Sequence, residues 1–338
     1  MGLFSFTQEI AMDLGTANTI IISNGKIMVD EPSVVALDRQ DKVVAIGKVA
    51  QQMEGKVPDK LRTVRPLRDG VIADFYAAEQ MIRGMIKLTN NKHRFFSPSL
   101  RIVVCIPSGS TEVEIRAVRD SAEHAGGRDV YMIYEPMAAA IGIGLDVEAP
   151  DGNMIVDIGG GTTEIAVISL GGIVSNKSIR IAGDDLTQDI IEYMGRQHNM
   201  KVGERTAELI KINVGSALVN LEEPPEDYPV YGPNRMTALP MEVPVSYQEI
   251  AHCLDKSVSK IEMAILSALE NTPPELYSDI VRNGIYLAGG GALLKGLDKR
   301  LSDKINIHFH IADDPLHAVA KGTGIALKNI SKYNFLIR

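Results

Sequence analysis

The same short frame occurs twice in this sequence, about half a chain apart. Asp13–Thr19 (DLGTANT) and Asp157–Thr163 (DIGGGTT) both read Asp–apolar–Gly–x–x–x–Thr. Each copy follows an apolar run and precedes another, which predicts a tight strand–turn–strand unit. A repeat at this distance indicates duplication. We therefore expect an α/β chain of two related lobes, with the two turns facing each other across a cleft.

The two turns have the chemistry of a phosphate site. Glycine leaves the backbone N–H groups of a turn open, and such a concavity binds phosphate oxygens. Asp13 and Asp157 end the preceding strands, where we expect them to hold Mg²⁺ through water. One Gly-rich hairpin is common, but two in one frame argue against ordinary hairpins, so the sequence predicts a site for ATP with Mg²⁺. The predicted phosphate-binding residues are Gly15, Thr16, Ala17, Asn18 and Thr19, and Gly159, Gly160, Gly161, Thr162 and Thr163.

A third Gly-rich element, Ile285–Leu294, runs from an apolar strand toward a helix. We expect its backbone to cover the purine and ribose of the nucleotide. An ordinary strand-to-helix turn explains this element equally well when it is taken alone. The residues of this prediction are Gly289, Gly290, Gly291 and Ala292.

Composition argues against several classes of protein. The chain has 35 Lys and Arg against 43 Asp and Glu, a net charge of −8, which argues against a nucleic-acid partner. Two cysteines without metal-ligand spacing indicate a reducing compartment. No uncharged run approaches the roughly 20 residues that span a bilayer, and Met1–Thr7 lacks the basic start of a signal peptide. We expect a cytoplasmic protein with at most a peripheral membrane contact.

Local signals predict where several helices begin. Capping boxes start at Thr111 and at Ser246, and Asp74 is expected to cap another helix. Pro136 favours the first turn of a short Ala-rich helix. The segment 222–244, rich in Pro, Glu and Tyr, is expected to be an exposed excursion.

Six segments in combination resemble the actin-like ATPase superfamily and, within it, the MreB family of bacterial cell-shape-determining proteins. The resemblance spans nearly the whole chain. The segments are Asp13–Thr19 (DLGTANT), Asp30–Val35 (DEPSVV), Asp69–Phe75 (DGVIADF), Glu135–Gly142 (EPMAAAIG), Val156–Val167 (VDIGGGTTEIAV) and Leu287–Leu294 (LAGGGALL).

This resemblance implies a duplicated actin-like (ribonuclease H-like) fold, in which each lobe has a mixed sheet flanked by helices and the nucleotide cleft lies between the lobes. The first lobe is expected at 1–146, with a small subdomain at about 30–64. The second lobe is expected at 147–314, with a small subdomain at about 182–245. The segment 315–338 is expected to return to the first lobe.

The resemblance also implies roles for single residues. Glu135 is similar to the residue that orients or deprotonates the water attacking the γ-phosphate, and Thr162 is assigned to catalysis with it; the alternative is that Glu135 only favours a helix N-terminus. Glu208 and Lys211 resemble the pair that reaches the adenosine, although such pairs usually form a solvated helix face. Gly183 resembles the loop after the second hairpin, with a simple turn as the alternative.

Two positions depart from the family pattern. Tyr134 stands where a second glutamate commonly precedes the proline, which implies slow turnover. Leu209 stands where an arginine is usual, which weakens the expected contact with the base.

A polar loop carries two adjacent aromatic residues, Phe95 and Phe96, next to Lys92 and Arg94. Such a loop tip suits insertion at an anionic bilayer surface, and the resemblance implies a membrane contact of this kind, to which Leu3, Phe4 and Phe6 would add. The alternative is that the two rings pack back on the core.

The residues predict ATP binding, and the resemblance implies a slowly ATP-hydrolysing cytoskeletal protein. The resemblance implies self-association into antiparallel paired filaments at the inner face of the cytoplasmic membrane, where cell-wall elongation proteins would be partners. One rival is a small-molecule kinase on the same fold, for which no polar cluster suggests a substrate site. Another is a membrane adaptor of cell division, which usually ends in an amphipathic helix; Ile330–Arg338 is too short and mixed for one.

Overall fold

The computed structural model describes residues 7–89 and 99–338. Its strands are β1 (Thr7–Leu14), β2 (Asn18–Ser23), β3 (Lys26–Pro32), β4 (Val35–Asp38), β5 (Val43–Ile46), β6 (Leu61–Val64), β7 (Leu67–Arg68), β8 (Val71–Ile72), β9 (Ser99–Ile106), β10 (Gly127–Tyr134), β11 (Asn153–Ile158), β12 (Thr163–Ser169), β13 (Gly172–Ile179), β14 (Tyr228–Pro233), β15 (Pro240–Val245), β16 (Ile285–Ala288) and β17 (Phe309–Ile311). Its α-helices are α1 (Gly47–Met53), α2 (Phe75–Thr89), α3 (Glu112–His124), α4 (Glu135–Gly142), α5 (Gly183–Gln197), α6 (Glu204–Val214), α7 (Tyr247–Glu270), α8 (Pro274–Asn283), α9 (Leu297–Ile305) and α10 (Ala318–Lys328).

Two five-stranded sheets have the same topology, with the orders β10-β9-β1-β2-β3 and β13-β12-β11-β16-β17. In each sheet an antiparallel meander continues into two parallel strands. The repeats also share a register, because Asp13 lies opposite Ile20 and Asp157 lies opposite Glu164. The duplication predicted from the repeated frame is thus present in strand order and in pairing.

Apolar residues form a core beneath each sheet and a third cluster between the sheets. Helices α4 and α10 lie in this third cluster and contact each other along their length. The C-terminal segment adds to it, since Tyr333 and Phe335 pack there and Ile337 pairs with Met132 of β10. The division into 1–146, 147–314 and 315–338 stays a prediction.

Several local predictions are confirmed. The Thr111 and Ser246 side chains cap α3 and α7 with complete capping boxes. The Ala77 N–H donates to Asp74 Oδ1 at 2.9 Å, at the start of α2. Pro136 lies in the first turn of α4. Each signal acts within one helical turn, so it can be recognised without knowledge of distant parts of the chain.

The prediction for 222–244 is wrong in part, because this segment contains most of the antiparallel hairpin β14–β15. Val230 and Val243 are buried and pack into the core of the second lobe. Their apolar signal is short and lies among Pro and Glu residues, so the composition of the segment conceals it.

Within the two described ranges, none of the helices combines the length and the apolar character needed to cross a membrane. The predicted membrane residues Phe95 and Phe96, and likewise Leu3, Phe4 and Phe6, lie outside the described residues.

Candidate functional site

The turns of the two hairpins touch each other. A Cβ added to Gly160 would lie 2.8 Å from Ala17 Cβ, and one added to Gly161 would lie 2.7 Å from Thr16 Oγ1. Such distances are too short for a side chain, so glycine is required here by the contact between the lobes. The structure therefore brings both predicted phosphate loops to one place.

The threonines of the two frames divide into two kinds. Thr19 Oγ1 lies 2.9 Å from Ser33 Oγ, which itself donates to the Gly15 carbonyl at 2.6 Å. In the second hairpin, Thr163 Oγ1 donates to the Ile181 carbonyl at 2.7 Å. These last threonines of each frame stabilise the hairpins from inside. Their hydroxyls are engaged by the protein itself.

Thr16 and Thr162 lie instead where the lobes meet. Thr16 Oγ1 accepts from the Gly70 N–H at 3.1 Å. A Cβ on Gly70, whose φ is 77°, would lie 2.7 Å from Thr162 Cγ2. The turn at Asp69–Gly70 thus contacts both hairpins and completes one wall of the site.

Four carboxylates lie close together behind the turns. Burial, with the charges of Asp13 and Glu164, raises the pKa of Asp157 to about 8. Burial raises the pKa of Asp13 to about 6, although the Cys105 thiol, donating to Asp13 Oδ1 at 3.0 Å, partly offsets it. Burial and the charges of Glu164, Asp157 and Asp13 raise the pKa of Glu135 well above its usual range. A cation between these side chains would stabilise their ionised forms.

This arrangement fits a hydrated Mg²⁺. Asp13 and Asp157 end equivalent strands of the two sheets and offer the carboxylate oxygens that Mg²⁺ prefers, an ion that usually keeps several of its waters. In residues 7–89 and 99–338, no three His, Cys, Asp or Glu side chains converge as direct metal ligands.

The predicted adenosine pair belongs to a bonded unit beside the second hairpin. The Gly183 N–H donates to the Gly159 carbonyl at 3.1 Å. Lys211 Nζ donates to the Gly183 carbonyl at 2.8 Å and lies 2.7 Å from Glu208 Oε2. Thr187, which the sequence analysis missed, donates to Glu208 at 2.7 Å. The pair is therefore part of a hydrogen-bonded network that continues into the second hairpin, rather than a plain solvated helix face.

The third Gly-rich element also reaches the site. Gly289 has a φ of 78°, and a Cβ there would lie 2.5 Å from Asp157 Oδ1. The following residues, Gly290–Leu293, form one 3-10 turn between β16 and α9. Strands β16 and β11 are parallel neighbours, so their carboxyl ends lie side by side. The residue after β16 therefore lies against Asp157 of β11, and only glycine fits there.

Two contacts between the lobes were not predicted. Arg65 Nη1 lies 2.7 Å from Glu204 Oε1 and 3.7 Å from Asp184 Oδ1. Glu164, fully buried in β12, accepts hydrogen bonds from Ser108 of the first lobe. Comparison of the two repeats could have identified Glu164, because the equivalent residue of the first repeat is the apolar Ile20.

The family model described as MreB/Mbl protein matches residues 7–335. The chain is 44% identical over 329 residues to cell shape-determining protein Mbl of Bacillus cereus, with 97% of this chain and 98% of that protein covered. It is 46% identical over 335 residues to cell shape-determining protein MreB of Escherichia coli strain K12, with 97% and 95% covered.

Solved structures agree with this relationship. MreB5 of Spiroplasma citri bound to AMPPNP has a TM-score of 0.90 at 37% identity, covering 96% of this chain and 97% of that one. The MamK double helical filament has a TM-score of 0.80 at 19% identity, covering 96% and 99%, and shows the fold alone. The predicted two-lobed actin-like fold is confirmed. The chain belongs to the MreB/Mbl family of cell shape-determining proteins.

Proposed function

We propose that this chain binds ATP with Mg²⁺ between its lobes, hydrolyses it slowly and polymerises into filaments. One observation carries the proposal: two hairpins of the same frame touch at Gly160 and Ala17, with Asp13 and Asp157 at the ends of the strands that lead into them. Nucleotide binding is also supported by MreB5 of Spiroplasma citri, which is solved with AMPPNP and with ADP.

In this proposal each part of the site has one task. The turn backbones of 15–19 and 159–163 donate to the phosphate oxygens, and Asp13 and Asp157 hold hydrated Mg²⁺. The ion supplies positive charge to the phosphates during transfer. Glu135 orients the attacking water and accepts its proton, with Thr162 beside the γ-phosphate. The nucleoside is held by Gly183, Glu208 and Lys211, and by Gly289, Gly290, Gly291 and Ala292.

Assembly and membrane attachment complete the proposal. Family membership supports self-association, which we place in antiparallel paired filaments at the inner face of the cytoplasmic membrane, with cell-wall elongation proteins as partners. Phe95 and Phe96 would anchor the filament. Full burial of one such side chain contributes roughly 1.5–3 kcal/mol, and a filament multiplies a weak anchor through avidity.

The decisive experiment combines calorimetry, phosphate release and electron microscopy on the full chain. We expect ATP binding that requires Mg²⁺, slow phosphate release, and filaments on anionic liposomes, with neutral liposomes as the control. The absence of ATP binding would contradict the proposal as a whole.

The double variant Phe95→Ser/Phe96→Ser should no longer bind the liposomes but should still bind ATP. If it stays on them, the anchor lies elsewhere; if it unfolds, the rings belong to the core.

A further inference from the structure

Glu164 is a buried carboxylate at a position where the other repeat is apolar. Glu164 lies opposite Asp157 in the second sheet, as Ile20 lies opposite Asp13 in the first. Ile20 packs in the apolar cluster between the lobes, so this strand position accepts an apolar residue. A buried charge is unfavourable unless it is well hydrogen-bonded. A carboxyl side chain buried at such a position indicates a task other than packing.

Hydroxyl and backbone donors hold the Glu164 carboxylate. Its Oε2 accepts from the Ser108 N–H at 2.9 Å and from Ser108 Oγ at 2.5 Å, and its Oε1 accepts from Ser178 Oγ at 2.6 Å. Ser178 lies on β13, in the same sheet as Glu164. Ser108 follows β9 of the first sheet. One carboxylate therefore connects the two lobes.

The loop that carries Ser108 begins beside the proposed catalytic glutamate. Strands β9 and β10 are parallel, and Ile106 lies opposite Tyr134. Ser108 and Glu135 therefore follow neighbouring strands at the same edge of the first sheet. On the other side of the contact, Glu164 is two residues after Thr162 in the second hairpin. The Glu164–Ser108 bonds thus join the edge that carries Glu135 to the hairpin that carries Thr162.

The same loop also touches the Asp69–Gly70 turn, which contacts both hairpins. A Cβ on Gly70 would lie 3.0 Å from Pro107 Cγ and 2.7 Å from Thr162 Cγ2. Across the lobes, a Cβ on Gly109 would lie 2.9 Å from Ser178 Cβ. These close approaches leave little room for the loop to move while Glu164 holds it.

We propose that Glu164 is a positioning residue for ATP hydrolysis, which fixes the Pro107–Ser110 loop to the second lobe and so sets the place of Glu135 relative to Thr162. The inference rests on the proposed function, because it assigns Glu164 to the same site. In this proposal Glu164 acts through its hydrogen bonds to Ser108.

Four variants of the full chain test this role. Glu164→Leu removes every acceptor, whereas Glu164→Gln keeps the length and one carbonyl acceptor for the Ser108 N–H. Ser108→Ala removes the hydroxyl bond between the lobes. Ser178→Ala is the matched control, because it removes a hydroxyl bond to the same carboxylate within one lobe. The measurements are ATP affinity by calorimetry and phosphate release in a single turnover.

We expect Glu164→Leu to slow phosphate release roughly tenfold or more, since a displacement of about 1 Å at a reacting centre can cost 10²-fold. ATP affinity should change by less than about threefold, because the phosphate-binding backbone stays in place. Glu164→Gln should restore most of the rate. Ser108→Ala should be slower than Ser178→Ala.

The positioning role would be overturned if Glu164→Leu released phosphate at the wild-type rate, or if Ser108→Ala and Ser178→Ala slowed release equally. Neither result would contradict the proposed function. If Glu164→Leu does not fold, the serine pair still decides the matter. If the wild-type chain neither binds ATP nor releases phosphate, the proposed function fails first, and the role of Glu164 in hydrolysis fails with it.

Discussion

Gly142 and Gly322 face each other where α4 crosses α10, and neither position has room for a side chain. A Cβ on Gly322 would overlap the Ala138 carbonyl oxygen, and one on Gly142 would overlap the Ala318 carbonyl oxygen. Helix α4 begins at Glu135. The crossing therefore fixes the helix that presents the proposed catalytic carboxylate.

Gly322→Ala should destabilise the protein by about 1–3 kcal/mol, because the added methyl group meets backbone that cannot move aside. Gly324→Ala is the matched control in the same helix. Its Cβ would lie 3.3 Å from Ile22 Cγ2, a side-chain end that can shift, and alanine favours the helix by roughly 1 kcal/mol. Urea denaturation measures both variants. Equal stabilities would show that the crossing tolerates side chains.

Gly160→Ala should weaken ATP binding without unfolding the protein, because its Cβ would push against Ala17 and part the two turns. The double variant Ala17→Gly/Gly160→Ala removes one of the two methyl groups and should recover most of the affinity. Calorimetry gives the affinities, and circular dichroism confirms the fold. Unchanged affinity in Gly160→Ala would be incompatible with the site between the hairpins.

Glu135→Gln should keep ATP affinity and slow phosphate release by about 10²-fold, the usual scale for the loss of a general base. Glutamine has the same size, so the crossing of α4 and α10 should persist. Glu123→Gln on the exposed side of α3 is the control for a lost surface charge. Full activity of Glu135→Gln would move the catalytic role to another residue.

The nucleotide-free protein should lose stability as the pH rises from about 5 to about 8. The pKa of Asp157 is about 8 in the folded protein against an ordinary value of 3.8, so between these values the folded state holds a proton that the unfolded chain has released. Each such group lowers the free energy of unfolding by up to about 1.4 kcal/mol per pH unit. The pKa of Asp13, about 6, adds to the lower part of this range.

Thermal melts across this pH range measure the effect. Asp157→Asn should flatten the dependence, and Mg²⁺ with ATP should do the same in the wild-type chain by neutralising the carboxylates. A stability that rises through this range in the wild-type protein, with no change in Asp157→Asn, would contradict the buried proton.

Arg65→Ala should speed nucleotide release roughly two- to fivefold, the scale of partly exposed ion pairs. Arg65 joins the first lobe to Glu204 and Asp184 of the second, so its loss makes opening of the cleft easier. Arg62→Ala is the control, because Arg62 pairs with Asp41 inside the first lobe. Displacement of a fluorescent ATP analogue measures the rate. Equal rates in the two variants would exclude a role for the Arg65 contacts in release.

Much of the fold could be predicted because its signals are local. The frames at Asp13–Thr19 and Asp157–Thr163 specify their own turns, since glycine permits the backbone approach and the apolar runs beside them specify strands. The capping boxes at Thr111 and Ser246 specify helix starts within four residues. The hairpin β14–β15 was missed, because burial of Val230 depends on a core formed by other segments.

The sequence by itself determined the repeat, the two phosphate-loop candidates and the identity of Asp13 and Asp157 as paired carboxylates. Only the tertiary structure decided that Gly160 meets Ala17, that Thr19 and Thr163 turn inward, and that Glu164 binds Ser108. The physical reason is distance along the chain: Ser108 and Glu164 are 56 residues apart. Such hydrogen bonds form only when the two sheets pack together. Neither the segment with Ser108 nor the segment with Glu164 carries a periodic pattern that predicts the bond.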